Sequence, residues 1–277
     1  MTGCNNRGLM NCNILIVTVL FNQQIKHTNV FRTLLGGYED VYIYDNSAVA
    51  QISGQIPSKW VYVSDPSNPG LSTAYNKAAE YAHGHGYDWL LICDQDTIFP
   101  KNSIKTCLSH IQKHPGYNLF VPRIMADNSK YMSPIRIRNY VTKLSDSVPS
   151  GRIDLDKYAV INSGMLVNTG AFLKCGGYNE NVFLDFSDFQ FIEKFSRLYP
   201  DAFVMDMTCK QNFSNLTDST ESKLNRFRLF CKSLYGYESL HRFGKHKITL
   251  IVIKRTLSLC LQSRSFKPLS IFFKTYF

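Results

Sequence analysis

The chain has 277 residues, of which 44% are hydrophobic and 13% aromatic, a composition that excludes a disordered protein and supplies a full core. Its eight cysteines form no CxxC pair, which argues against a zinc site and indicates reduced thiols of a cytosolic protein. The net charge of +10 lies entirely after residue 224, because residues 225–277 hold 11 of the 31 Lys and Arg residues and one of the 21 acidic residues.

Apolar and β-branched runs alternate with helical patterns along the first hundred residues. The runs predict strands at 14–20, 41–44, 60–63 and 89–93, and the patterns between them predict helices at 24–35 and 71–82. Strands that alternate with helices indicate crossover units and a mostly parallel sheet, so the predicted fold class is α/β. The rest of the pattern predicts a polar loop or lid over 127–157, a strand over 159–168 and an amphipathic helix over 189–199.

The most informative residues are Asp94 and Asp96, which follow the buried run Trp89–Cys93 directly. That position brings both carboxylates to the carboxyl edge of the sheet, where open α/β sheets bind their ligands. Two carboxylates this close repel each other unless a cation lies between them, and a hard ion such as Mg²⁺ or Mn²⁺ prefers oxygen ligands. The tripeptide Asp94-Gln95-Asp96 therefore predicts a site for a metal ion and a phosphate.

Polar residues follow the other predicted strands at the same edge. One such residue is usually a turn or cap residue, but four clusters along one edge predict a ligand-binding crevice. Asp45 is suited to accept a hydrogen bond from the N–H of a base, and Asn76 either binds a sugar hydroxyl or pins a loop. The four clusters are Asn22, Asp45-Asn46-Ser47, Asn68 through Gly70, and Asp94 with Asp96.

A second acidic pair, Asp185 and Asp188, lies among phenylalanines before the amphipathic helix. Asp188 stands where a helix N-cap is common, which is one interpretation of it. The other is a general base, since the apolar neighbours Phe186 and Phe189 favour a raised carboxyl pKa. Upstream, Gly164 follows Ser163 inside a strand pattern, which predicts close approach of a ligand to the backbone.

In their order along the chain, these clusters resemble the motifs of family 2 inverting glycosyltransferases. Within that family they look most like the rhamnosyltransferase-type branch, which builds bacterial surface polysaccharides, and the resemblance covers roughly residues 13–200. It implies a nucleotide-diphospho-sugar transferase (GT-A) fold that binds the donor in its N-terminal half. It also implies roles for four residues: Asp45 binds the base, Asp94 lies near the ribose, Asp96 holds the metal, and Asp188 deprotonates the acceptor hydroxyl.

The sequence departs from the family pattern at two positions. Gln190 follows Asp188 where members often carry Glu, which removes a charge near the acceptor. Gln211 stands where many relatives carry a metal-binding histidine. Either the Gln211 carbonyl completes the metal shell, or Asp96, phosphates and water hold the ion alone. Asp185 remains a second candidate for the base.

The predicted organisation has three parts. Residues 1–12 are expected to be a flexible N-terminus without a signal peptide, and residues 13–224 the catalytic domain, divided into a nucleotide-sugar half (13–100) and an acceptor half (101–224). Residues 225–277 are predicted to be a basic amphipathic extension, with no uncharged stretch of the roughly 20 residues that a membrane-spanning helix needs. Residues 247–261 fit either a helix in the lipid interface or a core helix with basic edges, whereas the terminal Phe/Lys stretch favours the membrane.

The sequence thus predicts sugar transfer at the cytoplasmic face of a bacterial inner membrane, from a nucleotide-diphospho-sugar to a lipid-linked glycan. Rhamnose carried by thymidine diphosphate is the donor that the resemblance suggests. A nucleotidyltransferase is the first alternative, but Phe21-Asn22-Gln23-Gln24 lacks the glycines and cation of a phosphate loop. A nucleic-acid-binding protein is the second, but the basic segment is richer in aliphatic and Phe residues than such an arm requires, and no nucleic-acid partner is expected.

Overall fold

The computed structural model describes residues 12–52, 54–126, 130–137, 144–211, 220–237 and 245–276. The expected flexible N-terminus lies outside these ranges except for Cys12, as do residues 127–129 and 138–143 of the expected loop or lid. The seven cysteines within the described ranges are all free thiols.

A ten-stranded sheet forms the centre of the described part of the chain. Its strands are β1 (Ile14–Leu20), β2 (Val41–Asp45), β3 (Trp60–Ser64), β4 (Trp89–Asp94), β5 (Thr97–Ile98), β6 (Leu119–Ala126), β7 (Tyr131–Ser133), β9 (Gly151–Asp154), β11 (Met165–Asn168) and β12 (Asp201–Gln211). β8 (Ile135–Arg136) and β10 (Tyr158–Ala159) form a separate antiparallel pair. The main order is β3-β2-β1-β4-β11-β6-β12-β5, with β7 beside β6 and β9 beside β12.

The sheet is parallel on its N-terminal side and mixed beyond it. The pairs that join β1, β2, β3 and β4 are parallel, as is the pair of β6 with β12. β11 runs antiparallel to both β4 and β6, and β5, β7 and β9 are also antiparallel to their neighbours. The α/β fold class is confirmed, and the antiparallel β11 places a second chain segment directly beside the end of β4.

Seven α-helices surround the sheet or extend from it within the described residues. They are α1 (Leu71–Gly84), α2 (Ser103–Lys113), α3 (Thr169–Lys174), α4 (Ser187–Ser196), α5 (Thr220–Tyr235), α6 (Lys245–Ser263) and α7 (Lys267–Thr275). Alternate residues of β1 serve the two faces of the sheet, as the strand period of two requires. Leu15 and Val17 lie in the cluster that includes α1 and α4, whereas Ile14 and Ile16 lie in the cluster that includes α2.

The predicted helix over 24–35 is interrupted at Thr28. This segment forms a 3-10 turn at Ile25–His27 and a π-helical turn at Phe31–Leu35. The Thr28 hydroxyl donates to the Ile25 carbonyl over 2.7 Å and accepts from the Phe31 amide, which ends the first turn. The amides of Asn29 and Val30 donate to the Gln95 carbonyl instead of to their own helix. The segment is thereby fixed to the turn after β4.

Two further predictions need correction, and one strand was not predicted. Thr97–Ile98 forms strand β5, which pairs with the end of β12. The predicted loop over 127–157 contains β7, β8 and β9. The predicted strand over 159–168 is divided into the end of β10 and β11 by the turn Asn162-Ser163-Gly164.

The C-terminal segment forms three helices, α5 to α7, that share an apolar core with the loop before α4. Phe227, Phe230 and Val252 are buried in this core together with Val182 of that loop. The boundary predicted between residues 224 and 225 therefore lies inside α5. No helix in the described part of the chain is both long enough and apolar enough to cross a membrane.

Candidate active site

Four polar side chains from three separate strand ends converge at the carboxyl edge of β4. The amide nitrogen of Gln211, at the end of β12, donates to Asp96 Oδ1 over 3.1 Å and to Asp94 Oδ2 over 3.2 Å. The hydroxyl of Ser163, in the turn before β11, donates to Asp94 Oδ2, and it lies 3.1 Å from Gln211 Oε1. The residues predicted as the metal site are therefore in contact with one another, with an amide N–H group between the two carboxylates.

Asp94 lies close enough to Asp96 to affect its ionisation. Burial and the charge of Asp94 raise the pKa of Asp96 to about 6, while the hydrogen bond from Gln211 opposes that shift. No group of three or more His, Cys, Asp or Glu side chains among the described residues is arranged to hold a metal ion. The oxygen donors at this place are two carboxylates, one amide and one hydroxyl, which is the chemistry that hard divalent ions prefer.

Tyr75, which the sequence did not single out, contacts this cluster, and Tyr178 packs against Tyr75. The Tyr75 hydroxyl, on α1, donates to Asp94 Oδ1 over 3.3 Å, and its ring packs against Tyr178 with centroids 5.3 Å apart. Burial, followed by the neighbouring carboxylate charges, raises the pKa of both phenols well above the usual value. Tyr75 lies at helical spacing with Ala74 and Ala78, so its pattern gave only the signal of a core residue.

The residues predicted to bind the base form a closed turn after β2. Asp45 is fully buried, and its carboxylate accepts hydrogen bonds from Ser47 N (2.9 Å), Gln51 N (2.7 Å) and the Tyr62 hydroxyl (2.5 Å). Its carboxylate thus holds the turn from Asn46 to Gln51 in place. Asn46 Oδ1, by contrast, is buried and has no hydrogen-bond partner.

Asn22 and Gln95 form hydrogen bonds between the ends of neighbouring strands. The exposed Asn22 has a left-handed φ of 51°, and its amide donates to Ser47 Oγ over 2.7 Å. Gln95 Oε1 accepts from the Phe21 amide over 2.9 Å. The ends of β1, β2 and β4 are therefore joined by direct hydrogen bonds along the edge where the sequence predicts the donor.

A second network at this edge was missed by the sequence reasoning. The Tyr44 hydroxyl donates to Asp65 Oδ2 over 2.5 Å and accepts from Lys77 Nζ over 2.9 Å. Hydrogen bonds, first from Ser67 and then from Tyr44, lower the pKa of Asp65 to about 2. Tyr44 and Lys77 lie on different elements, so no local pattern connects them.

Asn68, Gly70 and Asn76 belong to the junction between α1 and the loop that precedes α4. Asn68 has a left-handed φ of 50°, and a Cβ atom on Gly70 would lie 2.5 Å from the Phe183 carbonyl oxygen. Asn76 accepts from the Tyr178 amide and donates to the Tyr178 carbonyl and to Glu180. Its amide is therefore engaged in pinning the loop, which is the second of the two roles predicted for it.

Gly164 is explained by packing within the protein. It is buried with a φ of +73°, and a Cβ atom would lie 2.7 Å from Pro122 Cγ. The group that approaches its backbone is thus Pro122 rather than a ligand. Ser163, one residue earlier, is the member of this turn that reaches the acidic cluster.

Asp188 lies in the first turn of α4, one position after the start of the helix. The N-cap position belongs to Phe186, which has a left-handed φ of 69°, so the N-cap interpretation of Asp188 is wrong. Its carboxylate accepts from the Phe189 amide over 2.8 Å. Burial raises the pKa of Asp188 to about 7, and the charges of Asp94 and Asp185 add to the shift. A carboxylate that titrates near neutral pH is suited to accept a proton.

Asp185, the other candidate base, is held in an ion pair. Arg226 of α5 donates to Asp185 Oδ1 over 2.8 Å, and the second carboxylate oxygen is buried without a partner. The loop that carries both acids is therefore tied to the C-terminal helices. The partners of the two acids differ, although only three residues separate them.

The sheet order, the strand-end carboxylates and the buried acid at α4 define the class of protein: a glycosyltransferase with the GT-A fold. Residues 28–174, just over half of the chain, match glycosyl transferase family 2, and the chain belongs to that family. Gln211 and Asp188 lie beyond the matched residues, so the hydrogen bonds of Gln211 and the burial of Asp188 are known from the structure alone.

One protein of known activity is similar over a longer stretch. The dTDP-rhamnosyl transferase RfbF of Shigella flexneri is 24% identical over 182 residues, which is 65% of this chain and 62% of that protein. The chain thus spans less than two thirds of that relative's length.

Two solved structures are similar in fold. GalNAc-T7 with UDP, GalNAc and Mn²⁺ matches 82% of this chain and 50% of its own, with 13% identity and a TM-score of 0.53. A fragment of S. aureus TarS in complex with UDP-GlcNAc matches 85% of this chain and 69% of its own, with 12% identity and a TM-score of 0.52. At these identities the likeness shows the fold alone.

Proposed function

We propose that the protein is an inverting, metal-dependent transferase that moves a sugar from a nucleotide-diphosphate donor to a hydroxyl of a lipid-linked glycan. The product would serve an O-antigen or capsule-type polysaccharide. One observation carries this proposal: the Asp94/Asp96 cluster lies close enough to Asp188 for the charge of Asp94 to contribute to an Asp188 pKa of about 7. We therefore infer one site that contains both a pair of carboxylates for a metal ion and a carboxylate that accepts a proton.

The donor would occupy the edge formed by the ends of β1 to β4. We assign the base to the turn after β2, where Asn46 Oδ1 is an acceptor without a partner and Asp45 fixes the turn. We assign the contacts with the ribose and the phosphates to residues that follow the ends of the neighbouring strands. These residues are Asn22, Ser47, Asn68, Gly70 and Gln95. Thymidine diphosphate rhamnose is the first donor to test, because the relative RfbF is a dTDP-rhamnosyl transferase.

The acidic cluster fits a divalent ion such as Mg²⁺ or Mn²⁺. Asp94 and Asp96 already converge on one hydrogen-bond donor, and burial makes the charged pair costly without a positive partner. We assign Asp96 as the main ligand, with Asp94 and the Gln211 carbonyl as further oxygen donors. When bound, such an ion neutralises the negative charge that develops on the departing diphosphate. Gln211 must turn its amide group to present oxygen to that ion.

Asp188 is the proposed base. It would accept the proton of the acceptor hydroxyl as that oxygen attacks the anomeric carbon and the bond to the diphosphate breaks. A single displacement of this kind inverts the anomeric configuration and requires one base on the face opposite the leaving group. Asp185, paired with Arg226, would hold the loop in place rather than take the proton.

The proposed location is the cytoplasmic face of the inner membrane, and the proposed contact is made by the C-terminal helices. The structure alters which residues support that contact. Ile271 and Phe272 of α7 are packed inside, as is Tyr276 directly after it. The outer face of α6, in contrast, exposes Leu250, Leu257 and Leu261. We therefore assign the contact with lipid mainly to α6 and to the turn that follows it.

The test is a screen of nucleotide-sugars against the full chain with Mg²⁺ or Mn²⁺, scored by release of nucleoside diphosphate and by thermal stabilisation. A bound donor raises the apparent stability of the folded protein by mass action. We expect one donor to be turned over, with thymidine diphosphate rhamnose the first candidate. Turnover of no nucleotide-sugar, with or without a polyprenyl-linked acceptor, would contradict the proposal.

A further inference from the structure

A groove of about 760 Å³ lies between α5 and α7, away from the acidic cluster. One side is the face of α5 that carries Glu221, Leu224, Asn225 and Arg228, and the other is the face of α7 that carries Lys267, Ser270, Ile271 and Lys274. Both sets follow the helical spacing of three, four and seven residues, so each is one continuous helix face. Ser263 and Ser265, from the turn between α6 and α7, close one end.

The groove is cationic. Arg228, Lys267 and Lys274 line it, against one acidic residue, Glu221. These three cations take part in none of the ion pairs found in the described part of the chain. Lys267 and Lys274 are two helical turns apart, or about 10 Å along one face. Arg228 also donates to Asn225 Oδ1 within the groove over 2.6 Å. Hydroxyl groups and cations outside these ion pairs, on facing walls, are suited to bind the oxygens of a phosphoryl group.

Apolar side chains lead to the same groove. Leu250, Ile253, Leu257 and Leu261 form an outward stripe on α6, opposite the buried Ile248 and Val252. Leu261 is 80% exposed and precedes Ser263 of the groove by two residues. Phe266, between the groove residues Ser265 and Lys267, is 82% exposed. An apolar stripe beside a cationic groove matches the two parts of a lipid, its chain and its anionic headgroup.

We propose that this groove binds the phosphate of an anionic membrane lipid, while Leu261 and Phe266 enter the apolar layer beside it. The inference deepens the membrane contact of the proposed function and rests on it. Arg226, two residues before Arg228 on α5, faces the loop of Asp185. The lipid site and the loop of the base would thus lie on opposite sides of one helix, which is about 10 Å wide.

The first test is co-sedimentation of the full chain with vesicles of phosphatidylglycerol and phosphatidylcholine, compared with phosphatidylcholine alone. The pair Arg228→Gln/Lys274→Gln removes two groove cations. The matched pair Lys254→Gln/Arg264→Gln removes two exposed cations of α6 and the following turn, which belong to the same membrane-facing segment but do not line the groove. If the protein were held only by general attraction to the anionic surface, both pairs of substitutions would weaken binding equally, by about 1 kcal/mol of binding free energy per cation removed. We expect the groove pair to lose roughly tenfold more affinity than the control pair. Equal losses, or no binding of the unaltered chain to anionic vesicles, would overturn the proposal.

A second measurement needs no variant and so does not depend on the folding of one. Amine acetylation of the unaltered chain reports on Lys267 and Lys274, with Lys254 as the internal reference. Anionic vesicles should protect the two groove lysines several-fold more than Lys254, and free inorganic phosphate should not. Protection by free phosphate without protection by vesicles would assign the groove to a soluble ligand and refute the lipid site. Donor turnover without vesicles is measured alongside, so a failed lipid site remains distinguishable from a failed transferase.

Discussion

The two acidic pairs of the site use the same residue type and nearly the same spacing, yet the fold gives them different partners. Asp94 and Asp96 both accept from one amide group, and neither takes part in the ion pairs found among the described residues. Asp185 is paired with Arg226, whereas burial, with the charges of Asp94 and Asp185, raises the pKa of Asp188 to about 7. The spacing of the acids along the chain does not distinguish a pair suited to bind a metal ion from a pair in which one acid accepts a proton. The side chains that the fold places beside each acid make that distinction.

The largest effect is expected at the first pair. Asp96→Ala should lower kcat/KM by about 10³-fold or more, because the diphosphate would leave without its neutralising ion. The measurement is release of nucleoside diphosphate at saturating Mn²⁺, with the thermal midpoint as the check on folding. Lys105→Ala on the exposed side of α2 is a control that should change neither quantity. Full activity in a folded Asp96→Ala protein would refute the metal assignment.

At the second pair, Asp188→Asn should lower the transfer rate by roughly 10²- to 10³-fold, since the amide cannot accept the proton. Donor binding should change little, because the amide keeps the size of the carboxyl group. Asp185→Asn is the matched variant, and we expect it to keep most of the transfer rate. The reverse order of effects in single-turnover assays would move the base to Asp185.

The pH profile should reflect the same base. At saturating metal, which keeps Asp96 ionised, kcat/KM should rise with pH through about 7 and then level off, because the base must be unprotonated in the free enzyme. The profile is measured from pH 5.5 to 9 with the unaltered chain. A flat profile across pH 7 would show that Asp188 does not control the rate-limiting proton transfer.

The smallest effect on activity should come from replacing Arg226, the cation that pairs with Asp185. Arg226→Gln removes the cation beside Asp185, and the charge of Asp185 already raises the pKa of Asp188. The rising limb of the profile should therefore move to higher pH by a few tenths of a unit, with about a twofold loss at pH 6.5 and little change at pH 9. Arg228→Gln, two residues away, should leave the limb in place. A limb unmoved by Arg226→Gln would mean that Asp185 does not act on the base.

Strand positions and strand-end acids were predictable because they depend on local patterns. β1 is a continuous apolar run, and Asp94 follows β4 directly, so both were placed from sequence alone. Contacts between distant segments left no such signal. Gln211 reaches Asp96 across 115 positions, and Arg226 reaches Asp185 across 41. The interruption of the helix at Thr28 could not be predicted either. It depends on hydrogen bonds from the Asn29 and Val30 amides to the Gln95 carbonyl, which lies more than 60 positions away and comes close only in the folded chain.

Buried polar roles were the least predictable part of the site. Asp45 was expected to face a base, but the Tyr62 hydroxyl and two amides occupy its carboxylate. Tyr75 and Tyr178 carried only the pattern of core residues, although Tyr75 contacts Asp94. The sequence pattern shows only that such a tyrosine ring is buried. It does not show which group its hydroxyl contacts, because that partner comes from a distant part of the chain.

The difference between the two acidic pairs is tested most directly by calorimetric binding of a nucleoside diphosphate with Mn²⁺ to three proteins: the unaltered chain, Asp96→Ala and Asp188→Asn. Thymidine and uridine diphosphate are both used as probes. We predict that Asp96→Ala loses metal-dependent binding by at least about tenfold while Asp188→Asn binds within about threefold of the unaltered chain. Equal losses in the two variants, or loss in Asp188→Asn alone, would contradict the division into a donor-holding pair and an acceptor-facing base.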